Sequence, residues 1–168
     1  VTVTMKYTSQ GMGHGHFDKL SITYYDNEKE IIQDYGAARF LNIEPKNGGH
    51  YLKENETFAK QTVAHNTLVT DEKSHYNGDL KTASKYAPTF YAFENTEAVK
   101  MISAKENQAS PGVDMHRTVF LLNHPALARP FVVDIFKAQS KQKHQYDLPF
   151  YYKGQLIYTS YKYDASTE

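Results

Sequence analysis

Cysteine and tryptophan are both absent from this chain of 168 residues, and its formal net charge is zero, with 19 basic and 19 acidic residues. The lack of cysteine excludes disulfides and thiolate metal ligands. A balanced charge does not supply the broad positive surface typical of nucleic-acid binders, so we expect no nucleic-acid partner. No apolar run approaches the roughly 20 residues that a membrane-spanning helix needs, and we expect no membrane partner. A polyanionic ligand would have to bind through a local group of residues.

The length of the chain suits one domain with a core and is short for two. The sequence opens at Val1, with neither an initiator methionine nor a signal peptide. We therefore expect residues 1–168 to form a single domain that is a fragment of a larger protein.

Strand-like patterns dominate the sequence. Tyrosine occurs 14 times and phenylalanine 9 times, and aromatic and β-branched residues favour half-buried pleated surfaces. Apolar and polar residues alternate, with breaks at Gly, Pro, Asp-Asn and Lys-rich sites, in nine segments: 1–8, 20–25, 30–34, 62–70, 89–94, 98–104, 117–122, 131–137 and 155–163. This spacing predicts an all-β fold, a two-sheet antiparallel β-sandwich with under about 10% helix.

Helical patterns are few. Residues 54–60 have the length of one short turn, and residues 107–111 are predicted to form a loop. The polar connections at 42–57 and 71–85 are longer than hairpin loops, which is typical of functional or mobile segments.

The segment GMGHGHFDKL, residues 11–20, places His14, His16 and Asp18 at alternate positions. In an extended chain, alternate side chains share one face, so three metal-binding or proton-transferring groups could converge there. The intervening glycines would allow a sugar, an ion or another backbone to approach closely. From spacing alone, a flexible glycine-rich turn with two solvated histidines is an equal alternative.

Two later residues could complete a metal site. Asp34 ends an apolar strand pattern, and His65 lies within the apolar run TVAHNTLV. A buried imidazole without a partner costs a few kcal/mol, so we expect His65 to be hydrogen-bonded or bound to metal. Two histidines and one carboxylate, with water as the fourth ligand, form a common Zn²⁺ set. A core histidine hydrogen-bonded near an unrelated aspartate is the other interpretation of the spacing.

Five motifs in order along the chain resemble the heparinase II/III-like β-sandwich region of family 17 polysaccharide lyases, the oligoalginate lyases. They are GMGHGHFDKL, DYGAARF from residue 34, GGHYLKEN from residue 48, AKQTVAHNTLV from residue 59 and HQYDLPFYY from residue 144. The resemblance covers nearly the whole chain.

The resemblance implies roles for individual residues. His16, Asp34 and His65 would bind a structural zinc, whereas His14, Arg39 and Tyr51 would face the substrate cleft. Tyr51 and His14 are then the candidates for proton transfer; without the family, Tyr51 would be an ordinary surface aromatic and His14 a solvated imidazole. Asp18 matches the motif, and we expect it to give a supporting hydrogen bond rather than a metal bond.

The implied reaction is β-elimination on a uronate-containing polysaccharide or oligosaccharide such as alginate. Family members carry an N-terminal (α/α) toroid that supplies a catalytic tyrosine and an Asn-His pair, and the resemblance makes this toroid the missing partner. The chain alone is then expected to be inactive. The resemblance also implies a periplasmic or secreted location, and a homodimer is one open oligomeric state.

Two other functions stay open. A heparin or other glycosaminoglycan lyase would share the architecture, although sulfated substrates call for denser local Lys and Arg. A non-catalytic carbohydrate-binding sandwich is the second. We expect the remaining histidines to be solvated or locally hydrogen-bonded, and the motif residue His144 receives no chemical step: His50, His75, His116, His124 and His144.

Overall fold

The computed structural model describes residues 1–10, 15–34, 53–164 and 166. All strand pairings within these residues are antiparallel. The strands in chain order are β1 Thr2–Met5, β2 Ile22–Asp26, β3 Lys29–Ile32, β4 Val69–Thr70, β5 Thr89–Asn95, β6 Val99–Ser110, β7 Val113–Leu122, β8 Phe131–Ser140 and β9 Tyr146–Asp147.

The described strands form three sheets: β1-β2-β3, the pair β4-β9 and β5-β6-β7-β8. The core lies between the sheet β1-β2-β3, together with residues 15–21 before β2, and the inner face of the sheet β5-β6-β7-β8. Inward residues alternate with outward ones along β7, as period-2 patterning predicts. The main buried apolar residues are Met5, Phe17, Leu20, Ile22, Ala104, Val113, Met115 and Val119.

The prediction of an antiparallel all-β fold with little helix is confirmed. Helical elements in the described part of the chain are single turns: the π-helical turn Asn55–Ala59, the 3-10 turns Thr62–Ala64 and His75–Gly78, and α1 Leu80–Ala83. Asp79 caps α1, because its carboxylate accepts a hydrogen bond from the Thr82 N–H at 2.7 Å. None of the helices described here is long and apolar enough to cross a membrane.

Three local predictions were wrong. Within residues 62–70 only Val69–Thr70 is a strand, and the segment begins as a 3-10 turn. Residues 155–163 are not a strand, and Ile157 is 94% exposed there. Residues 107–110 are not a loop but the end of β6, where a bulge lets the Glu106 carboxylate accept hydrogen bonds from two following backbone N–H groups.

Candidate metal centre

The segment that carries His16 is fixed by long-range hydrogen bonds. The backbone of Phe17 donates to the Lys60 carbonyl at 2.9 Å and accepts from the Thr62 hydroxyl at 2.6 Å. Leu20, which is fully buried, adopts a φ of 62°. A left-handed backbone is unfavourable for leucine, so surrounding contacts must hold this turn in place.

The other two candidate ligands follow β3 and the turn Thr62–Ala64. Asp34 comes directly after Gln33, whose N–H donates to the Tyr151 carbonyl at 2.9 Å. His65 ends the 3-10 turn, and its N–H donates to the Thr62 carbonyl at 3.1 Å. Each of these two ligands therefore follows a short strand or turn whose backbone is held by a hydrogen bond.

The structure brings His16, Asp34 and His65 together. One ligand atom from each lies within 4.8 Å of the other two. His65 Nδ1 and Asp34 Oδ2 are 3.0 Å apart, and the two imidazole centroids are 5.1 Å apart. Two atoms that share a tetrahedral zinc with bonds of about 2.1 Å lie roughly 3.4 Å from each other, so the 3.0 Å separation suits a hydrogen bond or a shared ion.

The burial and charge of the group suit a metal ion. His65 is fully buried, and its Nε2 has no hydrogen-bond partner among the residues that the structure describes. Burial lowers the pKa of His16, and the nearby His65 lowers it further. Both effects favour the neutral imidazole, which is the form that binds a metal. The neutral imidazoles, the carboxylate and their short mutual distances therefore fit a divalent cation such as zinc.

An open pocket of about 300 Å³ adjoins this group; its lining includes Lys6, His16, Asp18 and Asp34. Lys6 Nζ donates to Asp18 Oδ2 at 2.5 Å, and the other carboxylate oxygen of Asp18 is buried with no partner in the described part of the chain. Asp18 is not among the three clustered ligands. Asp18 is paired with Lys6. The hydrogen bond from Asp18 to a metal ligand therefore stays a prediction.

The predicted cleft residues His14, Arg39 and Tyr51 lie outside the described residues, as does His50. Sequence reasoning did not single out Asn66 or Arg117. The side chains of both residues donate hydrogen bonds to backbone carbonyls in the segments that carry the ligands. Arg117 did leave a signal, because it occupies an inward position between Met115 and Val119 on β7.

The other four histidines that the structure describes also make hydrogen bonds. His75 is fully buried, and its Nε2 lies 2.9 Å from the Leu68 carbonyl. His116 Nε2 lies 2.7 Å from the Ser103 hydroxyl. His144 lies between Asp71 and Ser140, and exposed His124 accepts from the Ala126 N–H. None of these four joins the metal group.

His75 should make the stability of the protein depend on pH. Burial lowers its pKa from 6.5 to about 4, so between these values only the unfolded state takes up the proton. The stabilisation is complete above pH 6.5, and the free energy of unfolding should fall by up to about 3 kcal/mol as the pH drops to about 4. Chemical denaturation in EDTA across this range measures the effect. His75→Gln should flatten the profile and exposed His124→Gln should not; equal slopes would contradict the assignment.

Gly15, directly before His16, has no space for a side chain. A Cβ atom at this position would overlap the carbonyl oxygen of Gln10. Gly15→Ala should therefore displace the backbone that positions His16, lowering the melting temperature by several degrees and weakening metal binding. Gly112→Ala is the control, because alanine is strained at its φ of 74° but, among the described residues, no atom lies within 4 Å of the added Cβ. It should lose stability without a loss of zinc affinity. Thermal unfolding with and without zinc compares the two; unchanged zinc affinity in Gly15→Ala would contradict the prediction.

Comparison with known proteins finds a solved structure with the same fold over most of this chain. A solved heparinase III gene product with methylated lysines has the same fold, with a TM-score of 0.68 and 16% identity, over 94% of this chain and 21% of that one. At this identity the likeness concerns the fold alone, and it supports the β-sandwich architecture.

Two curated relatives are much more similar in sequence. An exo-oligoalginate lyase of Saccharophagus degradans is 51% identical over 162 residues, which are 96% of this chain and 22% of the relative. An alginate lyase of Stenotrophomonas maltophilia is 48% identical over 160 residues, 95% of this chain and 22% of the relative. The chain thus spans about a fifth of the length of these enzymes. The family model "Heparinase II/III-like, C-terminal" matches residues 1–164, and the chain therefore belongs to the heparinase II/III-like C-terminal family.

Proposed function

We propose that this chain is the β-sandwich part of an alginate lyase, which cleaves a uronate-containing polysaccharide or oligosaccharide by β-elimination. The observation that carries the proposal is identity at about half of all positions, over nearly the whole chain, with two enzymes named as alginate lyases. The heparinase III likeness supports the fold and gives no preference for a sulfated substrate. The chain spans 22% of each relative, and the partner that we propose from the family resemblance is an N-terminal toroid domain.

The chemistry needs three contributions. The proton at C5 of a uronate is weakly acidic, and its removal adds negative charge next to a carboxylate. Arg39 is proposed to neutralise that carboxylate through its planar, bidentate fork. Tyr51 and His14 are proposed to transfer protons, one group removing the C5 proton while another protonates the departing glycosidic oxygen.

Zinc is the proposed ion of the metal centre. His16, Asp34 and His65 would hold it, and the mutual distances of their ligand atoms, all within 4.8 Å, support this donor set. When bound, the ion would cross-link three segments of the sandwich and stabilise the folded state. Carbohydrate binding at the adjoining cleft, a periplasmic or secreted location and a homodimer are further predictions.

The proposal is tested by following the absorbance of the new C4=C5 double bond with the full-length protein that carries this chain. Alginate and heparin serve as parallel substrates. We expect product from alginate and none from heparin. Product from heparin alone would show that the substrate is a glycosaminoglycan and not alginate. Binding of alginate without elimination would show that the domain is a non-catalytic carbohydrate-binding sandwich.

A further inference from the structure

Asn66, directly after His65, joins two of the metal-centre segments through its side chain. It is fully buried, and its Nδ2 donates to the Ile22 carbonyl at 3.0 Å and the Gln33 carbonyl at 2.7 Å. Its Oδ1 accepts from the Tyr151 N–H at 2.7 Å. Since Gln33 precedes Asp34, the distance between the backbones of Asp34 and His65 depends on this amide.

Arg117 reaches the same region from β7, in the other sheet. It is fully buried, and its Nη1 donates to the carbonyls of Leu20 at 2.8 Å and Asn66 at 2.5 Å. The first carbonyl lies four residues after His16 in the same segment, and the second belongs to the residue after His65. Nε and Nη2 of Arg117 donate to the two carboxylate oxygens of Asp134, at 2.9 and 2.6 Å. One guanidinium therefore spans both histidine segments.

General stability does not account for this arrangement. A buried ion pair is often no more stabilising than apolar residues of the same volume. Here the amide of Asn66 donates to the carbonyls of Ile22 and of Gln33, the residue before Asp34. Nη1 of Arg117 donates to the carbonyls of Leu20, which follows His16 in the same segment, and of Asn66, the residue after His65. Hydrogen bonds to fixed carbonyls hold backbone spacing in a way that apolar packing does not.

We propose that Asn66 and Arg117 form a buried bracket that sets the spacing of His16, Asp34 and His65, and so act as positioning residues for the metal centre. The proposal rests on the metal centre proposed above. The bracket acts through the backbone and touches neither the ion nor a substrate. It extends the functional unit across the core to the four-stranded sheet.

Two conservative variants remove the bracket without removing its bulk. Asn66→Asp keeps the acceptor for the Tyr151 N–H but loses both donors to carbonyls. Arg117→Lys keeps a positive charge near Asp134, but one ammonium group cannot reproduce four donated hydrogen bonds. Asp134→Asn is a milder third variant, because it weakens the anchor of the guanidinium and leaves Arg117 in place.

Met115→Ala is the matched control. Met115 is 1% exposed and lies two residues before Arg117 on the same inward face of β7. Its truncation opens a core cavity and destabilises the protein, as the loss of a buried methionine does, but removes no hydrogen bond to the ligand segments.

Zinc affinity is measured by competition with a chromophoric chelator, at a temperature where circular dichroism shows every compared variant to be folded. Asn66→Asp and Arg117→Lys should bind zinc about 10 to 100-fold more weakly than the wild type, the usual effect of losing groups that orient ligands. Asp134→Asn should show a smaller loss in the same direction. Cobalt-substituted protein should show an altered d–d spectrum in the bracket variants, whereas Met115→Ala should match the wild type in both measurements.

A metal-free measurement separates the bracket from the metal centre. The imidazole NMR signals of wild-type protein in EDTA should show the hydrogen bond between His65 Nδ1 and Asp34, and the bracket variants should lose it. Wild-type protein that binds no zinc would refute the metal centre, and the NMR comparison alone would then decide the bracket. Folded Asn66→Asp and Asp134→Asn variants with wild-type affinity or imidazole signals would overturn it, as would an equal loss in Met115→Ala.

Discussion

Replacing His65 by alanine is expected to abolish stoichiometric zinc binding and to lower the melting temperature by roughly 5 to 15 °C. The variant loses a ligand atom, the hydrogen bond to Asp34 and a fully buried imidazole at once. Protein purified without added metal should contain about one zinc per chain before the substitution and almost none after it. Elemental analysis and thermal unfolding measure the two effects.

His124→Ala is the control for that experiment, because His124 is exposed and lies outside the ligand group. It should keep both the zinc and the melting temperature. EDTA treatment of the wild type removes the ion alone, so the fall in melting temperature that it causes measures the contribution of the ion. A metal-free wild type of unchanged stability would refute the structural role of zinc.

His14→Ala and Tyr51→Phe should lower the rate of elimination by about 10²-fold or more in the full-length enzyme, while zinc content and melting temperature change little. This is the usual scale for losing a positioned proton-transfer or charge-stabilising group. The separation of effects follows from the proposed roles, in which these two residues face the substrate and not the ion. Steady-state kinetics on alginate, with elemental analysis of the same samples, measure it.

His16→Ala is the contrasting variant, since His16 belongs to the clustered ligands. It should lose zinc and melting temperature together, with activity lost as a consequence. Arg39→Lys should keep some turnover but bind uronate more weakly, because the charge remains and the bidentate fork is lost. Release of zinc by His14→Ala, or full activity in Tyr51→Phe, would contradict the assignment of these residues to the cleft.

The long strands were predictable because their patterning is regular. In β7 more and less buried residues alternate from Val113 to Val119, and in β8 from Asp134 to Ser140, so the sequence predicted both strands within about four residues of their observed ends. The predicted strand at 62–70 was wrong for a different reason. The side chains of Thr62 and Asn66 donate hydrogen bonds to backbone carbonyls of distant segments, and these bonds favour a turn over a strand paired in a sheet.

The group of His16, Asp34 and His65 was predicted by the family resemblance, since spacing alone left other interpretations open. Its supporting residues were not predicted, because a hydrogen bond from Arg117 to Leu20 joins residues 97 positions apart. Local patterns carry no information about such pairings. An arginine at an inward strand position indicates that a buried partner exists, but not which one.

The origin of the three ligands in separate segments also bears on the order of folding. His65 and Asp34 are 31 positions apart, and the group forms only after the segment with His16, the end of β3 and the turn Thr62–Ala64 have come together. An ion that needs all three ligands finds its full site late, once most of the loop-closure entropy has been lost. Zinc should therefore slow the unfolding of the native state and leave the refolding rate almost unchanged. It would give the native state kinetic stability without being part of the folding nucleus.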